Sequence, residues 1–201
     1  TIGSAVAREL EQRHEVIRVG RNSGDLQADI SDSASIRRLF EQTGRFDALV
    51  CAAGNVTFAP LGEMTEDSFA LGLKDKLMGQ VNLLLIGREF ANDGASFTFT
   101  SGVLSHDPIR SGASAALVNG ALDSFVRSAA IELPRGLRVN SVSPTVLVEA
   151  MGSYAPYFRG YKPVAGADAD LHRRHGLAAD RRRLGGAGGQ RGLRGPKQPR
   201  G

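Results

Sequence analysis

Residues 46–54 read FDALVCAAG, six mostly apolar residues followed by two alanines and a glycine. The run Phe46–Cys51 predicts a buried strand, because it is apolar, short and bounded by a glycine-containing turn. Strands of this kind are typical of parallel sheets that helices cover on both faces. The strand closes on the turn Ala52-Ala53-Gly54, and helices are expected on either side of it in the sequence.

Helical and strand patterns alternate outward from this run. Apolar residues at spacings of three and four predict helices over Ala5–Leu10, Ser31–Thr43, Thr65 to about Phe90, and 112–133. Short apolar runs predict further strands at Glu15–Gly20, Leu26–Ile30, Phe97–Thr100 and Leu137–Val142. This alternation predicts an α/β fold with a doubly wound parallel sheet. Ligands of such sheets bind outside the carboxyl ends of the strands, so the residues that end each strand are the candidate site.

The composition indicates one globular domain in a reducing compartment. The chain has 201 residues, of which 41% are hydrophobic, and a chain of this length buries roughly 70% of its unfolded surface. Its one cysteine, Cys51, excludes a disulfide framework and a zinc site made of cysteine pairs. No apolar run approaches the ~18 residues that span a bilayer, and no secretory signal opens the sequence. A cytoplasmic location without membrane attachment is expected.

The basic charge is concentrated at the C-terminal end. Residues 171–201 hold eight arginines, one lysine and one acid, a formal charge of +8, while residues 1–170 carry −4. Abundant glycine and the lack of aromatic or β-branched residues predict a basic, disordered tail over 166–201. Three interpretations of this tail are open. It binds nucleic acid through its arginines, it is a solvated tail without a partner, or it results from a shifted reading frame. Nucleic-acid-binding arms usually contain aromatic residues, so nucleic acid is not the expected partner.

Six short motifs follow one another over about residues 1–150: Gly3 at the start of a helix, Val19-Gly20-Arg21-Asn22, Ala28-Asp29-Ile30, Cys51-Ala52-Ala53-Gly54, Thr100-Ser101-Gly102 and Arg138-Val139-Asn140-Ser141-Val142-Ser143-Pro144. In this order and at these intervals they resemble the short-chain dehydrogenase/reductase family. The resemblance implies a Rossmann-type fold, a nicotinamide nucleotide cofactor and a small carbonyl or hydroxyl substrate. A doubly wound domain of another family is the alternative.

The resemblance implies most of a cofactor site. Gly3 corresponds to the last glycine of the family's phosphate-binding turn; the first strand and the earlier glycines are expected before Thr1, and the last strand is expected to be absent. Arg21 and Asn22 follow the second strand of the family sheet, where an acid would bind the ribose of NAD(H). An arginine there pairs with the 2′-phosphate of NADP(H), so NADP(H) is expected over NAD(H). An ordinary solvated arginine is the alternative.

Further cofactor contacts are implied by the same resemblance. Asp29 and Ile30 correspond to a pair beside the adenine ring, although Asp29 equally suits a cap of the next helix. The turn Ala52-Ala53-Gly54 corresponds to the one that approaches the adenine ribose. Pro144 matches the family's proline after its strand, whereas Glu149 stands where a threonine would contact the nicotinamide.

The catalytic half of the family pattern is altered. The family's active-site Tyr and Lys correspond to Ala115 and Asn119, and alanine has no proton to give to a substrate oxygen. Lys76 stands where the family has a helper Asn, and it is either a substitute cation or a solvated helix residue. Ser101 matches the catalytic serine, with Ser105 as the alternative. The alternative for Ser101 is a structural role, in which its hydroxyl forms a hydrogen bond with the backbone at the end of the strand.

Two other sets of side chains carry reactive groups. Tyr154, Tyr157 and Tyr161 lie in the segment that covers the substrate in relatives, where a phenol would replace the missing acid. Aromatic packing is the favoured interpretation of these tyrosines, because tyrosine offers a large amphipathic area. Cys51 ends a buried strand with no cation beside it in sequence, so it is expected to pack rather than to react.

The sequence therefore predicts a nucleotide-binding domain over residues 1–165 that is incomplete at its N-terminus. By resemblance it is an NADP(H)-dependent oxidoreductase whose catalytic Tyr and Lys are replaced. The alternatives are an NADP(H)-binding or dimer-forming homologue without turnover, and a truncated product without function. The resemblance also implies a homo-oligomer, a dimer or tetramer, formed through the helices at 65–90 and 112–133.

Overall fold

The structure is a computed structural model, and it describes residues 2–148, 151–158 and 160–165. The predicted tail at 166–201 lies outside the described residues, as does Glu149. Strands and helices alternate along the described part of the chain, as the sequence predicts. Among its helices, none has the length and apolar character needed to cross a membrane.

Every strand pairing among the described residues is parallel. One sheet contains, in spatial order, β3 (Phe46–Cys51), β4 (Ala91–Thr100) and β5 (Arg138–Val142). A second sheet pairs β1 (Val19–Gly20) with β2 (Leu26–Gln27). The predicted α/β class with parallel, Rossmann-type sheets is confirmed.

The first two strands are shorter than predicted. Strands are expected at Glu15–Gly20 and Leu26–Ile30, but two residues of each form the ladder. Among the described residues, β1 and β2 pair only with each other. A strand takes its hydrogen bonds from neighbours that local sequence does not specify, so its length depends on those neighbours. Within residues 2–148 the strands consequently form two sheets rather than one.

The described helices occupy the predicted places, except for a short helix at Met151–Tyr154 that the sequence does not predict. Their bounds are α1 Ile2–Leu10, α2 Ser33–Thr43, α3 Glu66–Gly72, α4 Met78–Gly87, α5 Ala113–Glu132 and α6 Met151–Tyr154. The long helix predicted from Thr65 is continuous, but a π-helical turn, Leu73–Leu77, joins α3 to α4. Such turns are rare within helices and occur frequently at functional sites.

The hydrophobic core forms around β4. Phe97 and Phe99 are fully buried, and Leu84 of α4 and Leu122 of α5 belong to the same cluster. Phe40 of α2 joins this cluster and stacks on two further aromatic rings. Because helices from several parts of the chain share this core, the strand ends are held on a rigid support.

We expect Gly87→Ala to destabilise the fold. A Cβ at Gly87 would stand 2.7 Å from Cζ of Phe40 and 3.2 Å from Cε1 of Phe97, and both rings are buried. Overpacking of this kind costs about 1–3 kcal/mol. Urea titration measures the free energy of unfolding.

Gly120→Ala in α5 is the matched control for Gly87→Ala. No atom outside the backbone of its own helix lies within 4 Å of a Cβ at Gly120. The helix propensity of alanine should therefore stabilise this variant by up to about 1 kcal/mol. Equal stability of the two variants would contradict the packing seen at Gly87.

Candidate functional site

The predicted site residues lie at the carboxyl ends of the strands. In the register of the larger sheet, Cys51 lies beside Phe99 and Phe99 beside Ser141, so β3, β4 and β5 end at the same edge. The residues that follow the five strands are, in order, Arg21 and Asn22, Asp29 and Ile30, Ala52-Ala53-Gly54, Ser101, and Pro144. The loops that carry them are fixed largely by two side chains of the π-helical turn.

Asp75, on the π-helical turn, binds two of these loops. Its carboxylate is buried, with 6% of the side chain exposed. Oδ1 accepts a hydrogen bond from Nη2 of Arg21 at 3.1 Å. Oδ2 accepts from the backbone N and the Nδ2 of Asn55, at 3.1 and 2.6 Å. Sequence reasoning missed both Asp75 and Asn55, and the one available signal was the adjacent Lys76.

Arg21 is held by two carboxylates. Besides its bond to Asp75, Nη2 donates to Oδ1 of Asp29 at 3.0 Å. The Arg21 side chain is half exposed, and its guanidinium forms ion pairs with both carboxylates. Both hydrogen bonds use Nη2; within the described residues Nη1 and Nε have no hydrogen-bond partner. Asn22 is exposed in the bend that follows Arg21.

Asp29 does not cap the following helix. The N-cap of α2 is Asp32, whose side chain accepts a hydrogen bond from the backbone N of Ala34. Oδ1 of Asp29 instead accepts bonds from the hydroxyl and the backbone N of Ser31, and these bonds, with Arg21, lower the pKa of Asp29. The neighbouring Ile30 packs against α4. Because Asp29 does not cap α2, its carboxylate is available to bind and orient Arg21.

Lys76 is largely buried and hydrogen-bonded, which corrects its interpretation as a solvated helix residue. Its Nζ donates to the backbone O of Ser101 at 2.8 Å and to Oδ1 of Asn119 at 2.7 Å. Desolvation by burial is the main reason why the pKa of Lys76 is lowered to about 8. Among the described residues, no carboxylate lies within 4.0 Å of this ammonium. The resemblance implies an asparagine at position 76 and a lysine at position 119. In this chain the lysine is at position 76 and the asparagine is at position 119.

Gly54 allows Lys76 to reach its partners. A Cβ at Gly54 would lie 2.6 Å from Cγ and 2.7 Å from Cα of Lys76, and its φ of +127° is unfavourable for any other residue. The preceding Ala52 and Ala53 are exposed. Gly3 lies beside Ala52, with 3.9 Å between its ideal Cβ position and the Cβ of Ala52. Close packing therefore does not require a glycine at position 3.

The position that the resemblance assigns to the family's tyrosine is buried among apolar side chains. Ala115 is 2% exposed and belongs to a cluster with Leu104, Val146 and Phe158. Ser101 is 3% exposed, and its hydroxyl donates to the backbone O of Val142 at 3.2 Å. This hydrogen bond agrees with the structural interpretation of Ser101, in which its hydroxyl binds the backbone at the end of a strand.

The remaining candidate groups also make structural contacts. The hydroxyl of Ser105 donates to Oδ2 of Asp123 at 2.9 Å. Burial raises the pKa of the Cys51 thiol to about 11, so the thiol packs and stays protonated. Pro144 accepts a hydrogen bond from the backbone N of Val103 at 3.0 Å, which ties the loop after β4 to that after β5.

The described lid tyrosines pack against the loop regions. The ring of Tyr157 lies 5.1 Å from that of Phe58, and its hydroxyl contacts the backbone O of Phe58. The hydroxyl of Tyr161 donates to the backbone O of Asp107 at 3.1 Å. Burial raises the pKa of Tyr161, which makes this phenol a poorer acid. These contacts agree with the packing interpretation; the side chain of Tyr154 lies outside the described part of the structure.

Parallel sheets with flanking helices, and polar groups gathered at the carboxyl ends of the strands, define a Rossmann-type α/β protein. The family model described as enoyl-(acyl carrier protein) reductase matches residues 2–179. The chain belongs to the short-chain dehydrogenase/reductase family of oxidoreductases, as the sequence motifs predict.

Solved structures and curated proteins resemble this chain. Protein lin1944 of Listeria innocua is 49% identical to it, over 84% of each chain, with a TM-score of 0.82. A small-chain dehydrogenase in complex with NADPH is 30% identical, over 76% of this chain and 69% of that one, with a TM-score of 0.69. Carbonyl reductase (NADPH) 2 of Sus scrofa is 28% identical, over 68% of this chain and 63% of the reductase. The chain spans about half the length of other curated relatives that it matches.

We expect Asp75→Asn to destabilise the protein by about 1–3 kcal/mol. The amide keeps one acceptor oxygen, and its NH₂ group faces a donor of either Arg21 or Asn55, which is left unsatisfied. Glu89→Gln, in an exposed pair with Arg37, is the control and should change stability by under about 1 kcal/mol. Urea titration measures both. A loss at Asp75 no larger than that at Glu89 would show that Asp75 does not hold the loops.

Proposed function

We propose that this chain binds NADP(H) across the carboxyl ends of its strands, with the adenosine 2′-phosphate at Arg21. The observation that carries the proposal is the orientation of Arg21. Asp29 and Asp75 hold Nη2, while Nη1 and Nε make no hydrogen bond within the described residues. The free N–H groups of Nη1 and Nε can each donate a charge-assisted hydrogen bond to a phosphate oxygen.

The surrounding residues suit a dinucleotide. Ala52 and Ala53 are small and exposed, and the Cβ of Ala52 lies 3.9 Å from the ideal Cβ position of Gly3. We assign adenine contacts to Asp29 and Ile30, a ribose contact to the turn Ala52-Ala53-Gly54, a supporting role to Asn22, and a boundary of the nicotinamide end to Pro144. Support also comes from relatives: one solved structure is an NADPH complex, and the similar reductase of Sus scrofa is named for NADPH.

The preference for NADPH over NADH should be moderate. Arg21 attracts the 2′-phosphate, but two carboxylates share its charge. Half of the Arg21 side chain is exposed, which screens the interaction further. A preference of about tenfold, equivalent to 1.4 kcal/mol, follows from one partly screened charge pair.

We propose that the protein is an oxidoreductase acting slowly on a small carbonyl or hydroxyl compound. A bound nicotinamide nucleotide supplies or accepts hydride at the carbon that bears the substrate oxygen. In this chain Ala115 supplies no proton, and the hydroxyl of Ser101 is engaged by backbone. The absence of a positioned acid typically lowers rates by 10²–10⁴-fold.

A second candidate is an NADP(H)-binding protein without turnover. The burial of Ala115 against Leu104 and Phe158 favours it, because these apolar side chains occupy the surroundings of the missing phenol. Consumption of NADPH with a panel of small aldehydes and ketones distinguishes the two. Consumption above the protein-free rate supports the enzyme, and none supports the binding protein.

A second copy of this chain is the partner that we propose for α4 and α5. A groove of about 210 Å³ between these helices is lined by Leu85 and Phe125, together with Arg88 and Glu132. Charges of opposite sign on one surface are self-complementary across a two-fold axis.

We also propose a cytoplasmic location, because the single cysteine is free.

We expect Arg21→Gln to weaken NADPH binding about tenfold and to leave NADH binding within about twofold, because only NADPH carries the 2′-phosphate. Calorimetric titration measures both dissociation constants. Arg37→Gln, which removes an exposed arginine of α2, is the control and should alter neither. Equal weakening of the two nucleotides by Arg21→Gln would place the 2′-phosphate elsewhere.

We expect Leu85→Glu to convert a dimer into single chains, because it places a charge on an exposed apolar residue, 42% exposed, that lines the groove. Light scattering after gel filtration measures the mass. Leu61→Glu, at a residue that is 71% exposed outside these helices, should leave the dimer intact. Loss of the dimer in both variants, or in neither, would contradict the assignment of this surface.

A further inference from the structure

A cavity lies between the loop after β4 and the residues that follow α6. Its volume is about 330 Å³, within the range of about 300–1,000 Å³ that is usual for small-molecule pockets. It is lined by Ile109, Arg110, Ser111, Pro156 and Tyr157. None of these residues belongs to the cofactor contacts proposed above. The cavity is therefore a candidate site for a separate, small ligand.

Arg110 and Ser111 occupy the tip of a tight turn before α5. The backbone N of Gly112 donates to the backbone O of Ile109 at 3.2 Å, which closes the turn. The backbone O of Ser111 accepts from the backbone N of Ala59 at 3.1 Å, so the turn is also attached to the loop after β3. Backbone hydrogen bonds thus hold both residues at the edge of the cavity.

The backbone of Ser111 is strained. Its φ is +63°, in the left-handed region that glycine adopts most readily. Other residues are uncommon in this region, and the strained ones cluster at active sites and ligand-binding loops. The chain therefore has a side chain on the lining of the cavity at a position where glycine would be less strained.

The lining combines one cation with apolar walls. Arg110 is exposed, and within the described residues its guanidinium makes no hydrogen bond and has no carboxylate within 4.0 Å. Ile109, Pro156 and the ring of Tyr157 form the apolar part, and this ring is fixed by its contact with Phe58, 5.1 Å between centroids. A guanidinium pairs with a carboxylate through two N–H groups, and apolar walls suit the uncharged part of a ligand. A phosphate would call for more donors than this lining offers.

The cavity shares two of its walls with the cluster around Ala115. Ile109 and Tyr157 both pack against this buried cluster, which also contains Phe158. The resemblance assigns the family's tyrosine, and with it the reacting oxygen of a substrate, to position 115. Two side chains of the lining are therefore in contact with the region where a substrate would react.

We propose that this cavity binds the carboxylate of the substrate, through Arg110 and Ser111. The substrate is then a small compound that carries a carboxylate and an apolar body beside its carbonyl or hydroxyl group. The inference rests on the proposed function, because it names the substrate class of that oxidoreductase. For a ketone, the carbonyl carbon gains hydride from NADPH and the oxygen gains a proton from water, which leaves NADP⁺ and a hydroxy acid.

A matched pair of ligands tests the charge. Benzoylformate is an aryl ketone with a carboxylate, and methyl benzoylformate is the same ketone without the charge. Calorimetric titration measures both dissociation constants in the presence of NADP⁺, which cannot reduce either ketone. Benzoylformate should bind about tenfold more tightly, as expected of a charge-assisted hydrogen bond. In Arg110→Gln the two affinities should agree within about twofold, whereas a folding defect would weaken both ligands alike.

Two further variants test the position of the carboxylate. Arg127→Gln, at an exposed arginine of α5 outside the cavity lining, is the matched control and should keep the tenfold preference. Ser111→Gly removes the hydroxyl and relieves the backbone strain. It should weaken benzoylformate about threefold without lowering the midpoint of thermal unfolding. An unchanged affinity in Ser111→Gly would exclude this serine from the site.

The outcomes separate this inference from the proposal on which it rests. Equal affinity of the unaltered protein for acid and ester, or loss of the preference in Arg127→Gln as well, overturns the carboxylate site. The titrations without nucleotide give the same comparison if the protein binds no NADP(H), an outcome that makes the proposed cofactor wrong. Binding of benzoylformate through Arg110 without consumption of NADPH overturns the proposed turnover and leaves a carboxylate site. Faster consumption with the acid than with the ester supports both proposals.

Discussion

Two consecutive charged residues, Asp75 and Lys76, connect the loops at the carboxyl ends of the strands. Asp75 binds the loops after β1 and β3, and Lys76 binds the end of β4 and a side chain of α5. Charges removed from water require hydrogen-bonding partners, so these loops cannot move independently without a large loss of free energy. The π-helical turn, Leu73–Leu77, places both side chains among the loops from one short segment. The geometry of the candidate site depends on this turn.

The two cations at the strand ends have different surroundings and therefore different uses. Arg21 is half exposed and shares two carboxylates, which fix its orientation but reduce the positive potential around it. Lys76 is largely buried against neutral oxygens and keeps its charge near neutral pH because its pKa is about 8. The first arrangement suits an anionic group that approaches from solvent. The second connects the end of β4 to α5.

The sequence predicts the elements whose pattern is local. Phe46–Cys51 has the predicted bounds, because an apolar run beside a glycine turn determines this strand without other information. β1 and β2 are shorter than predicted, since pairing partners decide their length. The burial of Lys76 was missed because it depends on Asn119, 43 residues away in the sequence. The resemblance identified these positions individually, but their contact is visible only in the structure.

Apolar side chains fill the surroundings of position 115, where the sequence resemblance places the family's tyrosine. Ala115 is enclosed by Leu104, Val146 and Phe158, the last of which belongs to the lid segment. Phe158 also packs edge to face on Tyr161, and Tyr157 packs on Phe58, so aromatic contacts fix these three side chains. A phenol at position 115 would need space that these side chains occupy.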